Sequence, residues 1–318
     1  MTETVTQTKR IPQWVGWIVA TLLIAAACCI LPIVRMFPSF VPKVGDTVIV
    51  LKRSQIKNGE KVTAEVEPGI PMSVQAVKGN LLWVNNGNPG WIDSADTTSV
   101  ENAVPFFTEK IRQNPQDANA FNARGIALLI KQEYESALLD FTEAIRLNPT
   151  GPDYYVLRAD CWIHKDDLDR AIADLDEGIR LRPSLPSVYY KRAVIWNRKH
   201  VYDKAIADYE EGIRLEPRFL NAYMALAWLR ATCPDAEYRD GKQAIKNATT
   251  ACEIHEWKRP ESLETLAAAF AEAGNFEEAV RAQAKAMELA PEGLKAAFHT
   301  RLDLYISGKP FRDEPKDK

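Results

Sequence analysis

The chain has 318 residues, enough for two or three domains, and 46% of them are hydrophobic and 26% charged. A net charge of −3 excludes a general electrostatic drive toward nucleic acid, so no nucleic-acid partner is expected. Five cysteines do not make a disulfide scaffold, and the four histidines are scattered without CxxC or HExxH spacing, so neither a metal nor another cofactor is expected.

After a basic flank at 1–10, no charged side chain occurs between Arg10 and Arg35, and 11–34 is mostly apolar. A helix rising about 1.5 Å per residue over that stretch spans a hydrocarbon core about 30 Å thick. Trp14 and Trp17 suit the interfacial belt. The stretch reads as one transmembrane helix, an uncleaved signal anchor in a cell inner membrane. A signal peptide cleaved near Ala25-Ala26-Ala27 is the alternative. Lys9 and Arg10, weighed against Arg35 and Lys43, place the N-terminus inside and the following domains outside the cytoplasm.

A linker at 35–43 holds Pro38 and Pro42, and then the pattern changes. Short β-rich runs at 46–52, 61–67, 72–77, 81–84 and 91–93 are separated by the turn pairs Asn58-Gly59, Pro68-Gly69, Gly79-Asn80 and Asn86-Gly87. Leu82-Trp83-Val84, a glycine turn and Gly90-Trp91-Ile92 resemble the bacterial SH3-like domain over 44–96. The resemblance implies a small five-stranded β-barrel and adds peptidoglycan to the candidate partners. Trp83 and Trp91 are either core or a ligand platform.

Thr98 followed by Glu101 reads as a capping box that opens a helix over 98–115. Its Ala103, Phe107 and Pro115 keep the spacing of Ala137, Phe141 and Pro149, which makes it a half-repeat coupling barrel to repeats.

From 118 to 293 a 34-residue period takes over. Arg124, Arg158 and Arg192 are 34 apart, as are Ala137, Ala171 and Ala205, then Asp140, Asp174 and Asp208, then Pro149, Pro183 and Pro217. Such a period marks stacked helix–turn–helix units. Small residues (Gly125, Ala159, Ala193 on first helices; Ala144, Gly178, Gly212 on second) let helix axes approach, and a proline ends the unit. This motif resembles the tetratricopeptide repeat (TPR) family. It runs through units 118–151, 152–185, 186–219, 220–259 and 260–293, with insertions around Cys233-Pro234 and Trp257 in the fourth. The whole is then mainly α: a TPR α-solenoid of about five helical hairpins plus flanking helices, preceded by the barrel and the transmembrane helix. A capping helix at 294–307 and a frayed tail at 308–318 close the chain.

No glycine-rich phosphate loop, GxSxG elbow or Cys–His pairing appears, so no enzyme is expected. The periodic arginines and aspartates read as a structural ladder between helices. Function then falls to the surface, on the first-helix positions i, i+3, i+7 and i+10 expected on the concave side. These are Asn119, Asn122 and Ile126; Asp153, Val156 and Asp160; Tyr190 and Asn197; and Asn221, Met224 and Trp228. They either bind a protein or peptide, with Tyr190 and Trp228 as anchors, or pack against the next first helix. Chaperone-binding TPR proteins place polar clamps where Ile126 and Val156 stand, so that use is not expected. The expected function is a membrane-anchored, non-enzymatic scaffold or adaptor, with a peptidoglycan-binding module on a repeat spacer as the alternative. Cys233 and Cys252, at the two helix ends of the irregular unit, are either a bridge or two packed thiols.

Overall fold

The computed structural model describes residues 41–85 and 89–313. They fall into two compact units divided between Asn148 and Pro149.

In the first unit seven antiparallel strands form one sheet: β1 (Thr47–Val50), β2 (Ser54–Asn58), β3 (Lys61–Val66), β4 (Pro71–Lys78), β5 (Leu81–Asn85), β6 (Gly90–Asp93) and β7 (Thr97–Ser99). The order is β3-β2-β6-β5-β4-β1-β7. This corrects the expected five-stranded SH3-like barrel over 44–96. The outer strands β3 and β7 do not pair, so the sheet does not close. The edge of β1 that closure would use is taken by β7, through Val48↔Ser99, Ile49↔Thr98 and Val50↔Thr97. β2 and β7 escaped the sequence reading because one has a single aliphatic residue, Ile56, and the other is Thr-Thr-Ser. Both still bury alternate or all side chains, Ser54 and Ile56 in β2 and all three in β7.

Alternation along β1 gives the unit two cores. Val48 and Val50 join Ile56, Met72, Val74, Leu82, Val84 and Ile92 on one face. Ile49, on the other, meets Val100, Ala103 and Phe107 of α1 (Val100–Gln113) and Ala123 and Ala127 of α2 (Ala118–Ile130). The cap of α1 is Ser99, whose Oγ accepts from Asn102 N at 3.3 Å, one residue beyond the expected Thr98. Thr98 is held in the sheet opposite Ile49. Gly69, in the β3–β4 turn, has φ +88°, and a Cβ there would lie 2.5 Å from Ala123 Cβ. Only glycine allows both the turn and the close approach of α2. α3 (Tyr134–Leu147) completes the hairpin, with the Phe141 ring against Gly125 so closely that an added Cβ would stand 2.7 Å from it.

The second unit is a run of such hairpins: α4 (Pro152–His164) with α5 (Leu168–Leu181), α6 (Pro186–Arg198) with α7 (Tyr202–Leu215), α8 (Leu220–Thr232) with α9 (Gly241–Ile254), α10 (Pro260–Glu272) with α11 (Phe276–Leu289), then α12 (Glu292–Ile306). Ala159, Ala193, Ala227 and Ala267 on first helices are fully buried, as are Ala171, Ala205, Ala244 and Ala279 on second helices. Small side chains recur wherever two helices touch, which is why the period reads so clearly in the sequence.

Hairpin turns show a second regularity. After α2, α4, α6 and α10 the chain turns through a left-handed residue, Gln132, Asp166, His200 or Gly274. The next N–H then reaches back to the helix, as in Glu133 N to Leu128 O at 2.9 Å and Asp167 N to Trp162 O at 2.9 Å. α8 breaks the rule. Cys233 precedes Pro234, which disfavours the conformation this cap needs, and Cys233 is extended at φ −49° and ψ 131°.

The helix expected at 11–34 lies outside the described residues, and among the described residues no helix is long and apolar enough to cross a membrane. The membrane anchor, the inner-membrane location and the extracytoplasmic orientation are therefore without structural support and are withdrawn. Gly69→Ala should destabilise the chain by about 2–4 kcal/mol, the sum of a left-handed side-chain penalty and a backbone-proximal clash. Urea unfolding of the variant beside the parent measures it.

Candidate functional site

The periodic charges are spent inside the hairpins. Arg124 forks onto Asp140 through Nε at 2.8 Å and Nη2 at 2.6 Å. Arg158 and Asp174, then Arg192 and Asp208, repeat the geometry at 2.8 and 2.7 Å. Each guanidinium also lies over an aromatic ring one turn earlier, Phe121, Tyr155 or Tyr189, at 5.7–5.8 Å. The three aspartates are buried and the bidentate bond raises the Arg158 and Arg192 pKa further. These groups fix helix geometry and offer nothing to a substrate. Among the described residues no group of three or more His, Cys, Asp or Glu is placed to hold a metal ion.

The stripe residues divide by what they touch. In the first unit Asn119 is exposed, Asn122 is half-buried and Ile126 lies in the core. In the second, Asp153 pairs with Arg182 at 3.0 Å and Asp160 with Lys191 of α6, so both acids tie neighbouring segments together. Val156 packs over Gly178, where an added Cβ would lie 3.1 Å from Val156 Cγ2. The Tyr190 ring sits 5.9 Å from Tyr209 and 5.5 Å from Phe219. Met224 Sδ accepts from Ser262 Oγ of α10 at 3.5 Å. Asn197 is half-buried and Asn221 exposed, and the apolar Val194, three residues before Asn197 on α6, is exposed.

Trp228 is the centre of a cluster that sequence reasoning missed. Arg301 of α12 stacks on its ring at 5.3 Å and on Phe311 at 4.8 Å, and the Trp228 and Phe311 rings are 5.7 Å apart. Trp228 Nε1 donates to Asp313 Oδ2 at 3.2 Å. Arg301 also pairs with Glu264 of α10. The tail expected to fray from 308 is thus seated as far as Asp313. An aromatic residue isolated in a polar terminal stretch, and a proline where the fourth first helix needed its usual cap, were the available signals.

Trp83 and Trp91 face each other across β5 and β6, with ring centroids 5.3 Å apart at 71°. Both are partly buried, and Trp91 borders an open cleft of about 960 Å³ with Lys52, Arg53, Lys57, Lys78 and Asp93. Asp96 neutralises Lys52 at 2.7 Å and Glu65 neutralises Arg53 at 2.7 Å. Without a closed barrel the peptidoglycan alternative loses its basis. Cys161, Cys233 and Cys252 are buried free thiols, not a bridge, and burial pushes Cys161 and Cys252 up to about 12.

The sequence profile of the tetratricopeptide repeat family matches residues 100–152 and 123–186. No curated protein sequence matches the chain. Among solved structures the chain is similar to YrrB, described as a TPR protein with an unusual peptide-binding site. That likeness has 16% identity and a TM-score of 0.51 over 61% of this chain and 97% of that one. It is similar as well to the APC/C hetero-tetramer Cut9–Hcn1, at 15% identity and a TM-score of 0.52, over 65% of this chain and 40% of that one. The helical hairpins have the fold of a TPR solenoid.

Burial pushes the Glu264 carboxyl up to about 7, with Glu261 adding to the rise and Arg301 opposing it. Between its ordinary pKa and about 7 the folded chain holds a proton there that the unfolded chain has lost. Stability from this site should therefore fall as pH rises through that window, on the order of 1–3 kcal/mol. Denaturation of Glu264→Gln at pH 5 and pH 8 should show the dependence flattened relative to the parent.

Proposed function

We propose that the chain is a non-catalytic scaffold that binds a protein or peptide partner through the first-helix faces of its repeats. The observation that carries the reading is the fate of the titratable groups. Periodic arginines and aspartates are tied in bidentate pairs within hairpins, so they cannot converge on a reacting atom. What the hairpins leave exposed on these faces includes amide and apolar surface: Asn119 in the first unit, and Val194 and Asn221 in the second. A surface of that mixture suits an extended or helical peptide held by a few anchors. The likeness to a peptide-binding TPR protein supports this reading by analogy of fold.

Peptides selected from a displayed random library against the full chain should bind saturably. Val194→Glu combined with Asn221→Arg should weaken them about tenfold or more, about 1.4 kcal/mol. A library that yields no enrichment, or ligands indifferent to both substitutions, would count against these faces. A separate expectation follows from the ladder. Arg192→Ala, which strands the buried Asp208, should cost about 3 kcal/mol of stability in urea unfolding, whereas breaking a surface pair such as Arg180–Glu177 should leave the urea midpoint nearly unchanged.

A further inference from the structure

The first helix of the fourth repeat ends without its own cap, and the segment following α12 supplies one. An α-helix leaves its last carbonyls without intrahelical partners. In α8, Leu229 O is taken by Cys233 N at 2.9 Å and Arg230 O by Asp240 N at 2.9 Å. The next two are met from far along the chain: Ala231 O by Arg312 Nη1 at 3.3 Å and Thr232 O by Asp313 N at 2.9 Å. Side chains add to this main-chain docking. Phe311 completes a stack with Arg301 and Trp228, Asp313 accepts from the Trp228 indole, and Arg312 pairs with Glu272 of α10 at 2.6 Å.

This is the chemistry of peptide recognition: backbone bonds for affinity, one aromatic anchor against an arginine-faced tryptophan, and a carboxylate placed two residues later for direction. The seat is built on the first helices α8 and α10 and on the closing helix α12, and Trp228 is a stripe residue of α8. The segment therefore covers the kind of face that the proposed function assigns to a partner. We infer that the Trp228–Arg301 groove is a peptide-binding site closed in cis by Phe311-Arg312-Asp313. Its ligand in trans is a peptide carrying an aromatic residue followed two positions on by an acid. This inference rests on the scaffold reading and names its ligand class.

A groove occupied in cis most of the time binds in trans with an affinity reduced by the fraction left open. The test uses the full chain and a fluorescein-labelled, C-terminally amidated peptide Gly-Lys-Pro-Phe-Arg-Asp, read by fluorescence anisotropy. Phe311→Ala with Asp313→Ala should bind it saturably and at least about tenfold more tightly than the parent. Adding Trp228→Ala should remove the gain, and a peptide with alanine for both Phe and Asp should not bind. Circular dichroism confirms that the double variant is folded. Where it is not, Arg312→Ala alone, which releases the Glu272 pair and the Ala231 and Phe311 carbonyls, replaces it and should also gain affinity. Equal affinity for parent and opened variant, or no saturable binding to a folded opened variant, overturns the inference and leaves the segment a purely structural cap. If library-selected peptides still bind the Val194 and Asn221 face in that case, the scaffold reading stands without it.

Discussion

Close approach of helix axes is the constraint on which the rest of this molecule depends. At one position per helix a methyl group or a hydrogen is all that fits, as Gly125 shows against the Phe141 ring and Ala159 and Ala193 show by complete burial. Once axes are that near, an arginine on one helix can fork onto an aspartate sixteen residues later, and the aromatic residue three positions before it can cover the guanidinium. Packing comes first and the ion pair follows. The buried pairs thereby act as a gauge of hairpin geometry, since a carboxylate that lost its arginine would be stranded in the core.

This ordering explains what could be read from the residues alone. A contact that tolerates only small side chains writes itself into the sequence at every repeat, so the hairpins and their Arg–Asp ladder were legible. The sheet was not. β2 and β7 are held by register and by neighbours, not by their own apolar content, and a Thr-Thr-Ser run carries no alternation to detect. Missing them turned an open seven-stranded sheet into an imagined closed barrel. The Trp83–Trp91 pairing across β5 and β6 is real, but a tryptophan pair across two strands does not by itself close a barrel.

The stripe residues were legible in position but not in role. Helical spacing placed Tyr190, Met224 and Val156 on first helices, and the structure sets each against a neighbouring element. Spacing cannot say how near the next helix lies, and that distance decides whether a side chain is core or surface. Trp228 is conspicuous by its size, whereas Arg301, Phe311 and Asp313 were invisible because each lies more than seventy residues from it in the chain. The proline after Cys233 is the local cause: it removes a cap that the other hairpins make for themselves, and a distant strand of chain answers the open carbonyls.

The three buried thiols carry a consequence of their own. Cys161 belongs to the first hairpin of the second unit, and Cys233 and Cys252 to the irregular one. A thiol whose ionisation is suppressed by its apolar surroundings is inert to alkylation until those surroundings part. Each therefore keeps time for its own hairpin. The pace at which iodoacetamide reaches Cys161, set beside the pace at Cys233, reports how often a regular repeat breathes compared with the one that borrows its cap.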